Sequence, residues 1–303
     1  MEEMSKRFSN SVFNNGNAER VQLKRRLLSY QVNCYEPLLP STYTLLMNLL
    51  KLVKETGNGS FVNLQPTQYE EWVVKWKLDL PEQREIFRLL HDALTVVGKG
   101  ESAIHALVHL LKLYSKNEAA EAKADAHQCI VSCIAHPQVF VVDHLLDLHP
   151  ISALEGQLIH DLLEIFVSGN LSDYIEFYDN NREFAEKLAL SHEENMRKMR
   201  LLTLASMAQD NSEITYDELI DKLNLEKDEV EPFVIEAIGS QLIRGKINEP
   251  EDKIVVSSTI NRTFGDAEWH LIKNKLEVWQ RNLLSIQECM KKGIHYQMPI
   301  GAG

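Results

Sequence analysis

The chain has 303 residues, enough for one large or two ordinary domains, and its 44% hydrophobic and 25% charged content is that of a folded globular protein, which excludes wholesale disorder. Its formal net charge of -12 repels phosphate backbones, so nucleic acid can be held only where cations are locally concentrated. No stretch reaches the ~20 apolar residues of a membrane span, and the opening MEEMSKRFSN carries no apolar signal core, so a cytoplasmic protein without a membrane partner is expected. The four cysteines (Cys34, Cys129, Cys133 and Cys289) form no disulfide framework and read as free thiols in a reducing compartment.

Nearly everything up to about residue 210 has helical periodicity, with glycine and proline falling between the periodic segments. A short basic amphipathic helix is predicted over 18–31, and a second over 41–55 with Ser41 as its N-cap. GNGS at 57–60 is a loop. Residues 66–77 form a helix entered through Pro66, with Trp72 and Trp76 one turn apart. Pro81 suits the first turn of the next helix. Residues 82–97 and 101–114 pair across Gly98-Lys99-Gly100. Further helices are predicted over 118–135, 137–147, 152–167, 171–179, 181–189 and 192–209. Helices of this length with short connections bury their apolar faces on one another as an α-solenoid. No clean 34-residue consensus repeats, so the stack is HEAT-like or a degenerate tetratricopeptide-like array.

The pattern changes after residue 211. Ser212-Glu-Ile-Thr-Tyr reads as a short strand, Tyr216 to Leu223 as a helix and Asn224-Leu-Glu-Lys as a turn. A second helix, capped by Asp228, carries Val230, Phe233, Val234, Ala237 and Ile238 at helical spacing. Two β-prone runs follow, Leu242 to Asn248 and Lys253 to Ser257, joined by Glu249-Pro-Glu-Asp. Strand, helix, turn, helix and hairpin in that order describe a winged helix.

The final element covers 266–292. Trp269, Ile272, Leu276, Trp279, Leu283, Ile286 and Met290 alternate at spacings of three and four, an a/d seam sustained over three heptads. This helix either folds back on the winged helix or packs into a bundle with partners; strict register and two tryptophans favour the bundle. The expected fold is therefore mainly α: a right-handed helical-repeat solenoid over 41–210, a winged-helix module over 211–262 and a C-terminal association helix and tail over 263–303.

Chemistry is not evident. His105 and His109 have metal-compatible i, i+4 spacing, but no HExxH accompanies them. His127, Cys129 and Cys133 share a helix without a second ligand pair. Gly98-Lys99-Gly100 lacks the GxxxxGK[ST] of a phosphate cradle, and no GxSxG occurs. No catalytic residue, cofactor, metal or small-molecule substrate is expected.

A winged helix can read DNA, but a reader places cations on its second helix. That helix is expected to carry Asp228, Glu229, Glu231 and Glu236 and no basic residue at all, which argues against DNA. A weaker RNA contact has candidates in Arg244, Lys246, Lys253 and Arg262 around the wing, or in Lys24, Arg25 and Arg26. The hairpin can instead pair edge to edge with a neighbouring module, through Leu242, Ile243, Lys246, Ile254, Val255 and Val256.

The runs LEGQLIHDLLEIFVSGNLSDYIEFY (154–178), ENMRKMRLLTLASMA (194–208), VEPFVIEAIGSQLIRGKIN (230–248), RTFG (262–265) and DAHQCIVSCIAHPQVFVVDHLLDLHP (125–150) resemble the PCI family. The family supplies subunits of the proteasome lid, the COP9 signalosome and eukaryotic translation initiation factor 3, and these runs are most similar to its initiation-factor members. The resemblance covers roughly residues 65–292; residues 1–40 match poorly, where members usually have a longer helical region. It implies a non-catalytic scaffold that packs through its winged helix against other PCI subunits and through its terminal helix into a bundle with MPN subunits. It implies too that the complex binds the small ribosomal subunit and supports messenger RNA recruitment. A signalosome or lid subunit, or a weak RNA-binding winged-helix protein, are the alternatives.

Overall fold

Helix α1 runs Pro40–Thr56 in the computed structural model, which describes residues 40–59, 64–188 and 190–296. The predicted helix over 18–31, Cys34 and the cations Lys24, Arg25 and Arg26 lie outside the described residues. Helix α1 thus starts at Pro40, one residue before the expected cap position 41. Helix α2 (Pro66–Trp76) opens on Pro66, whose missing N–H is one of the donors a helix start leaves unpaired anyway. Trp72 and Trp76 stack with centroids 5.5 Å apart, as their spacing implies. Helix α3 (Leu80–Val97) places Pro81 in its first turn, and the carboxylate of Glu82 accepts the Asp79 N–H at 3.3 Å. It ends at Gly98, whose φ of 81° is open to glycine at little cost, and the chain enters α4 (Gly100–Lys112). Ile86, Phe87, Leu90 and Leu94 of α3 meet Ala103, Leu107, Leu110 and Leu111 of α4 in the core of the arm.

Three segments depart from expectation. Residues 118–135 are not one helix: Lys116–Glu118 form a 3-10 turn and α5 starts only at Lys123, running to Ala135. The Glu118 carboxylate closes that turn, accepting from Arg84 at 2.7 Å and from the Ser115 hydroxyl at 2.9 Å. Residues 137–147 form no α-helix, only the 3-10 turn Asp143–Leu145. Pro137 begins this stretch, and the β-branched and aromatic run Val139-Phe-Val-Val resists helical rotamers while placing Val142 and Leu145 in the core. The helix expected over 152–167 starts only at Leu158, as α7 (Leu158–Ser168), after Gly156, where φ is 79°; the short α6 (His149–Ser152) lies ahead of it where no helix is expected. Helices α8 (Leu171–Asn180), α9 (Arg182–Lys187) and α10 (His192–Asp210) lie where the periodicity puts them. Helix α4 packs on α5, α5 on α7, α7 on α8 and α8 on α10, a chain of neighbours that forms the helical-repeat arm.

The winged helix comprises β1 (Glu213–Thr215), α11 (Tyr216–Leu223), α12 (Lys227–Gly239), β2 (Ile243–Asn248) and β3 (Lys253–Thr259). Thr215 caps α11, its hydroxyl accepting from Glu218 N–H. Helix α12 starts one residue before the expected cap: Asp228 lies in the first turn, and the Glu226 N–H donates to Glu229 at 3.2 Å. The three strands are antiparallel in the order β1-β3-β2, with Ile214 opposite Ile254 and Ile247 also opposite Ile254. An irregularity in register between Arg244 and Gly245 kinks β2. A Cβ on Gly245 would lie 2.6 Å from the Val255 carbonyl oxygen, so only glycine fits there.

Two hydrophobic clusters result. The arm's cluster ends at Met199 and Leu202, and the winged helix's begins at Leu201 and Leu204. Helix α10 therefore supplies opposite faces to both cores. Helix α13 (Asp266–Tyr296) follows the winged helix; its 31 residues make a rod about 46 Å long.

Candidate protein-docking surface

Among the described residues nothing covers the seam of α13. Trp269, Ile272, Leu276, Trp279, Leu283, Ile286 and Met290 are 36–66% exposed, so the helix does not bury this face on the winged helix. Its first turn is tied down: Phe264 meets Trp269 edge to face at 4.9 Å, and the Gly265 N–H donates to the Glu268 carboxylate at 2.8 Å. A contiguous apolar stripe along a helix marks an interaction site, because single exposed apolar residues are common on protein surfaces and aligned ones are not. The heptad spacing shapes the stripe for knobs-into-holes packing with other helices.

The hairpin is arranged differently from expectation. Strand β3 lies between β1 and β2, paired on both sides, so Ile254, Val255 and Val256 offer no free edge. The sheet's long free edge belongs to β2. Leu242, Ile243, Ile254 and Val256 are buried against α10, α11 and α12, leaving exposed Lys246 and half-buried Val255, paired to each other, on the outer face. Period-two alternation in the sequence marks which side chains turn inward, but strand order depends on how the chain returns through α11 and α12.

Two of the four candidate RNA-contacting cations are already occupied. Lys253 binds Glu213 at 3.0 Å and also Glu251. Arg262 is only 5% exposed, and its guanidinium points into the protein. Arg244 and Lys246 remain exposed and have no ion-pair partner among the described residues. Helix α12 is not wholly without base, since it begins at Lys227, but that ammonium lies 4.0 Å from Asp252. Asp228, Glu229 and Glu231 are exposed, and Glu236 takes Arg197 at 2.7 Å, so the helix that would enter a groove stays anionic.

What sequence reasoning missed is a pair of buried cations that join the parts. Arg262 donates to the Gly169, Phe166 and Ile165 carbonyls at 2.8, 3.0 and 3.4 Å, and to the Ser206 hydroxyl at 2.9 Å. Those carbonyls are the C-terminal end of α7, where the helix dipole favours a cation. Lys198 of α10, also 5% exposed, donates to the Cys133, Ile134 and His136 carbonyls at 2.7, 3.1 and 2.8 Å and so caps α5. Burial pulls the Lys198 ammonium down to about 8 and the Arg262 guanidinium to about 10. A weak signal existed: although exposed Arg197 and half-buried Arg200 share the run, Met199, Leu201 and Leu202 stand beside Lys198. Its partners are more than sixty residues away, and no local rule names them.

The histidines and thiols have structural surroundings. His109 and His105 lie 3.1 and 3.8 Å from one carboxylate oxygen of Glu70, and the His109 ring packs on Phe87 at 4.3 Å. Burial lowers the His109 pKa against the opposing pull of Glu70. Cys129 and Cys133 are buried side by side, and the Cys129 thiol is held well above the ordinary range by its hydrogen bond to Cys133 and by burial. Among the described residues His160, Asp161 and Glu164 also cluster, on neighbouring positions of α7, with both carboxylates at the surface. No helix among the described residues is long and apolar enough to cross a membrane.

Comparison with known proteins adds a family to this geometry. The PCI domain model matches residues 171–258, from α8 through nearly all of β3. Eukaryotic translation initiation factor 3 subunit M of Xenopus tropicalis is 39% identical over 272 residues, covering 90% of this chain and 73% of its own. The human subunit M is 38% identical over the same shares, and that of Danio rerio 37% over 273 residues.

Proposed function

Because the chain belongs to the family of eukaryotic translation initiation factor 3 subunit M, a PCI-domain family, we propose that it is a non-catalytic scaffold subunit of the initiation factor 3 complex. In this reading it acts in the cytoplasm, where it holds other PCI and MPN subunits together and supports small-ribosomal-subunit binding and messenger RNA recruitment. In the same reading 41–210 serve as arm, 211–262 as the winged-helix docking module, and 263–303 as the association helix and tail.

The observation that carries the reading is the uncovered heptad seam of α13. A 31-residue helix with seven aligned apolar residues facing water costs stability and solubility unless another surface covers it. The winged helix adds a second contact through the free edge of β2, where main-chain groups offer affinity without reading bases. An anionic α12 and the engagement of Lys253 and Arg262 weigh against nucleic acid as the direct ligand of this module.

Affinity purification of the tagged chain tests the reading. Recovery of the other initiation factor 3 subunits, of both PCI and MPN type, together with small ribosomal subunits is expected. Recovery of signalosome or proteasome-lid subunits alone would refute it.

A further inference from the structure

The association helix leaves the winged helix through a short strap, residues 260–265, and the strap is fastened to the arm. At its start the Ile260 N–H donates to the Leu242 carbonyl of the hairpin at 2.9 Å. Two residues on, Arg262 reaches the last carbonyls of α7 and Ser206 of α10. Two further on, the Phe264 N–H donates to Asp143, at the 3-10 turn that precedes α6, at 3.1 Å. Helix α13 begins immediately afterwards.

The acceptor site is built to take a fork. Two guanidinium nitrogens divide four acceptors between them, a planar arrangement that an ammonium cannot copy. Gly169, which presents one of the carbonyls, has no room for a side chain: a Cβ there would lie 2.9 Å from the Ile165 backbone. Leverage explains why the fastening matters. Tilting a 46 Å rod by about 20° at its base moves its tip by about 16 Å, far more than knobs-into-holes packing tolerates.

We propose that Arg262 is a positioning residue for assembly: by locking the strap to the C-terminal end of α7 it aims α13, so that the arm sets the direction in which the seam is presented. This rests on the reading of α13 as the association helix. Arg262 touches no partner in this scheme and acts through the helix it orients.

Electron–electron distance measurement on the full chain tests it. One spin label goes on the exposed Cys289 of α13 and one on Gln128→Cys of α5, in a Cys34→Ser background; Cys129 and Cys133 are buried and stay unlabelled in the folded protein. A single narrow distance is expected with Arg262. Arg262→Met should broaden the distribution to several distances, and Arg262→Lys should restore it only in part. If the aligned orientation falls to about one molecule in ten, apparent affinity for the complex falls about tenfold. An unchanged distribution in Arg262→Met overturns the proposal, even if the variant melts earlier, because a merely structural role predicts that result. A broadened distribution with undiminished incorporation overturns it too. Should Arg262→Met not fold, Asp143→Ala, which frees the second tie, is expected to broaden the distance, and no broadening would count against the strap. Failure of the wild-type chain to enter the complex would instead refute the functional reading, while the distances on the full chain still judge Arg262.

Discussion

Replacing Trp279 by aspartate probes the seam at its most exposed tryptophan. Trp279 is 65% exposed, and an aromatic side chain of this class offers roughly 200–250 Å² to a partner, so about 130–160 Å² remains to be covered on assembly. At ~25 cal/mol/Å² that burial contributes about 3–4 kcal/mol, or a factor of roughly 10²–10³ in affinity. Aspartate removes the contribution and adds a carboxylate that the interface would have to desolvate unpaired. Trp279 adds nothing to either hydrophobic core, so the variant should keep its helical circular dichroism and its melting temperature. The assay is co-purification with the other subunits under competition from wild-type chain, with Asn274→Asp, on the opposite face of α13, as control. Trp279→Asp should be lost from the complex and Asn274→Asp retained. If Trp279→Asp assembles at wild-type stoichiometry against competitor, the seam is not an interface and the reasoning fails.

Lys198→Met leaves three carbonyls at the end of α5 without their donor and should cost about 2–4 kcal/mol in chemical denaturation at pH 7. The same residue gives a pH signature. Its pKa falls from 10.5 to about 8 on folding, so between those values the unfolded chain holds a proton that the folded chain has released. Stability from this group therefore rises with pH through that window, with a slope approaching ~1.4 kcal/mol per pH unit, and the gap between wild type and Lys198→Met should widen from pH 8 to 9.5. Gly245→Ala forces a Cβ to within 2.6 Å of the Val255 carbonyl oxygen and should destabilise the winged helix by about 1–3 kcal/mol, seen as a lower denaturation midpoint. On a phosphate matrix at moderate salt the chain should elute in the void, as its net charge of -12 requires; retention that Arg244→Glu and Lys246→Glu abolish would restore the RNA reading.

Element type was legible wherever a pattern repeated locally. Helices α2, α3, α8, α10 and α13, and both wing strands, follow from apolar periodicity, in α2 and α3 with proline in the first turn as well. Periodicity failed where it competed with local backbone demands. Gly156 takes a left-handed conformation that holds off one expected helix until Leu158, and the β-branched and aromatic run at 139–142 forms no helix while burying only Val142. The heptad seam was visible residue by residue because the a/d spacing lies within one element. The edge of the sheet was not, since Ile254-Val-Val reads as an ideal edge strand and lies instead at the centre.

The sequence by itself determined the order of parts, the acidity of the winged helix's second helix and the apolar stripe of α13, because each is a property of neighbouring residues and needs no knowledge of what lies across the fold. Only the tertiary structure decided which strand is free, that the stripe has no cover among the described residues, and that Arg262 and Lys198 are buried clamps and not surface charges. Arg262 meets its carbonyl acceptors across more than ninety residues and Lys198 across more than sixty. A cation's role is set by the carbonyls that surround it, and those are brought together by the packing of α5, α7 and α10, which no local pattern encodes.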